Sequence, residues 1–210
     1  MNFEKNSFIV NNKLQLAIVD KRIPKNMETN LNNMGVSIIK STCCSNTYEA
    51  IKYHPDISVC KLNDNNIVIL KNFAIHNFKY TDKVILNYLE KNNIKKINVS
   101  QGYCKCSICI VDDNSLITSD EGIYKEVIKY GIDCLLIEKG HIDLFELNYG
   151  FIGGCSFLIS NNELAFLGNI KNHPDYDKIL DFIESKNKKL VSLSDDKLLD
   201  LGSVIPLLEY

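Results

Sequence analysis

Arginine is almost missing from this sequence: of 24 basic side chains, only Arg22 carries a guanidinium. The group best suited to bidentate capture of phosphate or carboxylate is therefore excluded from nearly every position. A formal net charge of −2, with lysines and carboxylates interspersed, leaves no basic footprint for nucleic acid and no polybasic patch for a membrane surface. No stretch reaches the roughly 18 apolar residues of a membrane helix, and residues 1–11 lack the apolar run of a secretory leader. A cytoplasmic chain is expected, and its abundant Asn, Lys and Ile reflect an AT-rich bacterial genome rather than a function. No glycine-rich phosphate loop is present, since Gly150 to Gly154 precedes a strand pattern instead of a helix. Cysteine is plentiful, at eight residues, yet several lie in apolar strand runs, as buried thiols do. Cys104 and Cys106 share a strand face while Cys109 points opposite, and no second CxxC completes a zinc set; Cys43-Cys44 reads as a pair of thiols. No metal or other cofactor is expected.

What is present is a recurring pattern. Cys106 to Val111 is an apolar, β-branched run broken by Asp112-Asp113-Asn114, and a second short run, Ser115 to Thr118, follows. A helix comes next, with Ser119 or Asp120 as N-cap, Ile123, Val127 and Ile128 at helical spacing and Gly131 as its stop; Ile132 to Ile137 is a third strand. The unit is ββαβ in about 35 residues, a length typical of internal repeats. Two neighbours fit it: strands 56–62 and 67–70, a helix 80–91 and a strand 94–99; and strands 155–160 and 163–167, a helix 174–186 and a strand 190–193. The units then span about 54–100, 103–138 and 151–194. A degenerate N-terminal copy, about 8–41, has strands at 14–19 and 36–39, and a final strand within 202–208 is expected to pair with the N-terminal strands. The 210 residues read as a single α/β domain whose termini close a ring, the arrangement that removes exposed sheet edges.

Position then points to a site. His54-Pro55-Asp56, Tyr103 to Ser107, Gly153-Gly154-Cys155 and Gly202-Ser203 all begin the first strand of a unit, and in a closed ring equivalent ends converge near the axis around a shared pocket. The glycines at 150–154 either adopt unusual dihedrals or let something approach closely. His173-Pro174-Asp175 reads as a helix start, the segment 138–149 as an exposed crossover, and His76 has no evident partner.

A ring of about five ββαβ units resembles the pentein fold, the α/β-propeller of the guanidino-group-modifying enzymes. Tyr53-His54-Pro55-Asp56-Ile57-Ser58-Val59 is similar to the strand in which that family's aspartate holds a guanidinium, and Asp200-Leu201-Gly202-Ser203-Val204-Ile205-Pro206-Leu207 is similar to the segment that delivers its catalytic cysteine. The whole chain, through HPDI, QGYCKCS, TSDEGI, YGFIGG, HPDY and GSVIPL, also resembles an uncharacterised clostridial family of this fold. The resemblance implies a small cationic or guanidino-type metabolite bound at Asp56, with His54, Cys106, Gly153, Gly154, Cys155 and Ser203 as lining. Those enzymes need a thiolate nucleophile and a histidine acid and base. Here Ile205 or Pro206 stands where the cysteine belongs and Ile152-Gly153-Gly154 where the histidine belongs, so ordinary hydrolase chemistry is expected to be lost. The alternatives are a relocated pair, Cys155 with His173 or Cys106 with His54, and a non-catalytic protein-interaction module of the same fold. Whether the chain is an enzyme stays open at this level, as does its oligomeric state.

Overall fold

A computed structural model describes residues 16–19, 25–33, 37–40, 69–70, 73–145 and 148–201. The N-terminal part is a parallel pair, β1 (Leu16–Val19) and β2 (Ser37–Lys40), joined through helix α1 (Lys25–Asn33). Three sheets of three strands follow. The first is β3 (Ile69–Leu70), β4 (Phe73–His76) and β5 (Lys95–Asn98), with helix α2 (Lys83–Lys91) between its last two strands. A helical turn, α3 (Cys104–Ser107), leads into the second: β6 (Ile108–Asp112), β7 (Ser115–Thr118), helix α4 (Glu121–Val127) and β8 (Asp133–Leu136). The third is β9 (Ser156–Ser160), β10 (Glu163–Phe166), helix α5 (Tyr176–Ser185) and β11 (Lys189–Ser192). In each sheet the first strand is antiparallel to the second and the second is parallel to the third.

Local chemistry accounts for these elements. The second hairpin turns where Asp112 Oδ1 accepts from Asn114 N at 2.8 Å, an Asx turn of the kind short polar side chains favour. Asp82 caps α2 through Val84 N at 2.8 Å, and Asp120 caps α4 through Ile123 N at 2.9 Å. Helices α2, α4 and α5 each bury two positions four apart: Ile85 and Leu89, Ile123 and Val127, Ile179 and Ile183. After each of these three helices a left-handed residue turns the chain back: Asn93 (φ 55°), Gly131 (φ 74°) and Asn187 (φ 56°). Glycine and asparagine are the residues that tolerate this dihedral region best. One apolar cluster joins the first sheet to the second through Ile75, Ile97, Ile108 and Leu116, and another joins the second to the third through Val111, Ile117, Leu164 and Phe166. Neighbouring units are thus fused by shared cores.

Four expectations need correction. In the first sheet the central strand is Phe73–His76 instead of residues 67–70, whose last two residues form the antiparallel neighbour, with Leu70 opposite Phe73. Ala74, Ile75 and His76 are all buried, so a histidine inside an apolar run hid a core strand. Its partner is Thr81, whose hydroxyl lies 2.7 Å from His76 Nδ1. Cys106 belongs to the helical turn α3, and the strand begins two residues later at Ile108. The segment 138–149 is not simply an exposed crossover: Ile142 is buried, Asp143 N donates to Leu198 O and Asp200 N donates to Asp143 O. Residues 41–68 and 202–210, which include the expected strand 56–62 and the closing strand, lie outside the described residues. Among the described residues no helix is long and apolar enough to cross a membrane.

Candidate functional site

The openings of the second and third units and the segment at 198–201 meet in one place. Helical turn α3 packs against a 3-10 turn, Ile152–Gly154, that leads into β9. Lys105 is buried on α3, and its Nζ donates to Gly153 O at 2.7 Å. Buried Asp200 lies against the same turn, where its Oδ2 accepts from Phe151 N at 2.8 Å, and Leu201 N donates to Gly154 O at 3.2 Å. The glycines make this possible by close approach. A Cβ on Gly153 would fall 2.1 Å from Ile108 O, and one on Gly154 would fall 1.9 Å from Asp200 Oδ1. Neither glycine has a left-handed φ, so of the two roles expected for this cluster, close contact applies at both.

The thiols around this place are held protonated. Cys155 is fully buried, its Sγ 3.3 Å from Ile152 O, and burial pushes its pKa well above the ordinary value, with the neighbouring Cys109 and Asp200 adding to the rise. Burial likewise drives Cys109 up to about 11, and Cys104 and Cys134 up to about 12. The thiolate is the attacking species, so these four sulfurs are poor nucleophiles near neutral pH. Cys106, on α3, is half-buried.

His173 is committed elsewhere. It sits ahead of α5, where its Nδ1 accepts from Asp175 N at 3.1 Å while Nε2 lies 3.1 Å from Glu138 O. The tautomer with hydrogen on Nε2 satisfies both contacts. Asp175 Oδ2 in turn accepts from Glu138 N at 2.7 Å, so the start of α5 is tied to the end of the second unit. His141 Nε2 is 3.0 Å from Glu138 Oε1, and its ring stands 5.3 Å from that of His173. Both nitrogens of His173 are held by backbone and Cys155 Sγ is turned to Ile152 O, so the two side chains of this alternative pair make their hydrogen bonds elsewhere. Burial lowers the His173 pKa below its ordinary 6.5, with His141 adding to the fall and the Glu138 carbonyl opposing it. As the pH falls through 6.5 the unfolded chain takes up this proton first, so stability is expected to drop. Urea unfolding from pH 7.5 to 5.5, above the carboxylate range, should show this loss, and His173→Gln should flatten the slope.

Residues 18–73 and 65–205 match a family of unknown function, DUF6873. The chain belongs to this family. None of the curated proteins matches the chain. Among solved structures, C. jejuni agmatine deiminase is similar at TM-score 0.50 and 11% identity, over 85% of this chain and 61% of that one. A cysteine-to-serine variant of the C. jejuni enzyme with substrate bound gives TM-score 0.50 and 10% identity, over 85% and 62% of the two chains. The DUF6873 chain therefore spans about three fifths of these relatives' length, and at such identity the likeness concerns the fold alone. Agmatine deiminase is a pentein, and the fold of this chain is pentein-like.

Of the residues proposed from sequence for this DUF6873 chain, the structure brings Cys106, Gly153, Gly154 and Cys155 to the junction of α3 with the Ile152–Gly154 turn, and it holds His173 at the start of α5. His54, Asp56 and Ser203 lie outside the described residues. Two charged members were missed. Lys105 sits between Cys104 and Cys106, and Asp200 opens a C-terminal motif. Their signal, a charge two or three residues from an apolar run, is common on surfaces and becomes informative only once burial is known.

Proposed function

We propose that this chain is a pentein-like binding protein in which the units close, through the terminal strands, into a single-domain α/β-propeller of about five units. Its axial pocket takes a small cationic or guanidino-type metabolite, Asp56 is the anchor, and Cys/His hydrolase chemistry has been lost. One observation carries the reading: the openings of two units and the Asp200 segment gather polar groups in one place, while the buried thiols Cys104, Cys109 and Cys155 are protonated and His173 is held by backbone. A site of this composition has the means to bind and orient a ligand, and its buried thiols are not activated as nucleophiles. A thermal-shift screen against arginine, agmatine, methylarginines, citrulline and creatine tests it. A ligand at a hundred times its dissociation constant should add about 2.7 kcal/mol of stability, and the shift should disappear in Asp56→Ala. Ammonia release or citrulline formation from any of these compounds, or rapid alkylation of Cys155 at pH 7, would instead establish an enzyme. No shift with any compound would end the metabolite reading.

A further inference from the structure

Three hydrogen bonds fasten the crossover that follows β8 to the start of α5, and they form a closed loop through two side chains. His173 Nε2 donates to Glu138 O at 3.1 Å, His173 Nδ1 accepts from Asp175 N at 3.1 Å, and Asp175 Oδ2 accepts from Glu138 N at 2.7 Å. The loop requires a neutral imidazole, because Nδ1 accepts only while it carries no hydrogen. A proton there would set two N–H groups against each other around a side chain that is 2% exposed, so the bond to Asp175 N cannot survive it. Groups from both sides face this ring. From the crossover come Glu138 and His141, whose ring stands 5.3 Å away and opposes a second positive charge. From α5 and its cap come Asp175, which favours that charge, and Lys178, which holds Asp175 Oδ1 at 2.6 Å. Asp175 is thus an acceptor within reach of a new Nδ1–H, and its Oδ2 is the oxygen that now holds Glu138 N.

We propose that this loop is a pH-operated latch: protonation of His173 at Nδ1 breaks the bond to Asp175 N, draws the Asp175 carboxylate away from Glu138 N, and frees the head of the crossover from α5 while the rest of the fold stays closed. This is a local opening, separate from the loss of overall stability described above, and it requires no ligand. The far end of the same crossover holds the candidate site, since Asp143 N donates to Leu198 O and Asp200 N donates to Asp143 O. The latch therefore sets how firmly the segment that positions Asp200 is anchored. Burial keeps the His173 pKa below 6.5 in the closed latch, so the opened latch takes up the proton first. Closure is favoured above pH 6.5, and opening grows as the pH falls through it.

Native-state amide hydrogen exchange on the full chain at pH 7.5 and 5.5, corrected for the intrinsic pH dependence of exchange and repeated in sub-denaturing urea, tests this. The Glu138 and Asp175 amides are expected to lose protection several-fold at pH 5.5, about ten-fold at most for one proton. They should exchange with little dependence on urea, as small openings do, and stay less protected than the amides of the central strand β10. His173→Gln should make their protection independent of pH. His141→Gln replaces an exposed side chain and should fold normally; by removing the opposing charge it should move the opening to higher pH, which keeps the test decisive should His173→Gln fail to fold. Protection and urea dependence equal to those of β10 would leave only global unfolding and overturn the latch. So would protection unchanged between the two pH values, a pH dependence that survives His173→Gln, or an opening that His141→Gln does not move.

Discussion

Gly153→Ala is expected to destabilise the protein by about 3 kcal/mol or more, at or above the top of the usual range for overpacking. The added carbon would sit 2.1 Å from Ile108 O, 2.4 Å from Lys105 O and 2.6 Å from Ile108 C, all of them backbone atoms. Backbone cannot rotate away, so relief requires α3 to separate from the Ile152–Gly154 turn. That movement would also break the bond between Lys105 Nζ and Gly153 O. The control is Gly102→Ala, where nothing lies within 4 Å of the new carbon. It should be neutral or raise stability by about 0.4–1 kcal/mol through the unfolded state. Equilibrium denaturation of the two variants measures the contrast directly. Similar midpoints would mean that the two segments do not touch.

Gly154→Ala should behave differently, because its obstacle is a side chain. The new carbon would meet Asp200 Oδ1 at 1.9 Å and Cγ at 2.3 Å. Asp200 can yield only by abandoning Phe151 N, so a loss of about 2 kcal/mol is expected. Asp200→Ala alone should cost about 1–3 kcal/mol by leaving the Phe151 N–H unpaired. The double variant removes the obstructing atoms together with the bond, so the two losses should fall short of additivity by about 1 kcal/mol or more. Strict additivity in a denaturation cycle would separate Asp200 from the glycine turn. An Asp200→Ala change should not rescue Gly153→Ala, whose conflict is with backbone.

Much of the architecture was readable before any coordinates. The Asp112-Asp113-Asn114 break, a cap at Ser119 or Asp120, the stop at Gly131 and the pair Ile123/Val127 are local signals, and each acts within a few residues of itself. Errors arose where local signals conflicted. Phe73–His76 carries a histidine that resembles loop chemistry, whereas His76 is buried in the core with Nδ1 2.7 Å from the Thr81 hydroxyl. Cys104 to Ser107 alternates like a strand but forms a helical turn, with Ser107 N donating to Tyr103 O. Periodicity over four residues cannot separate these outcomes.

By itself, then, the sequence determined the order of strands and helices, their turns and caps, the pentein-like class and the absence of a guanidinium at nearly every position. These follow from properties each residue carries with it: backbone preference, side-chain polarity and spacing. Tertiary structure decided that Gly153 and Gly154 exist for contact rather than for unusual dihedrals, that His173 spends both nitrogens on backbone, and that Lys105 and Asp200 are buried at one junction. Apart from the local bond between His173 and Asp175 N, those facts depend on partners 35 to 49 residues away, and the distances between such segments are set by packing of the whole chain.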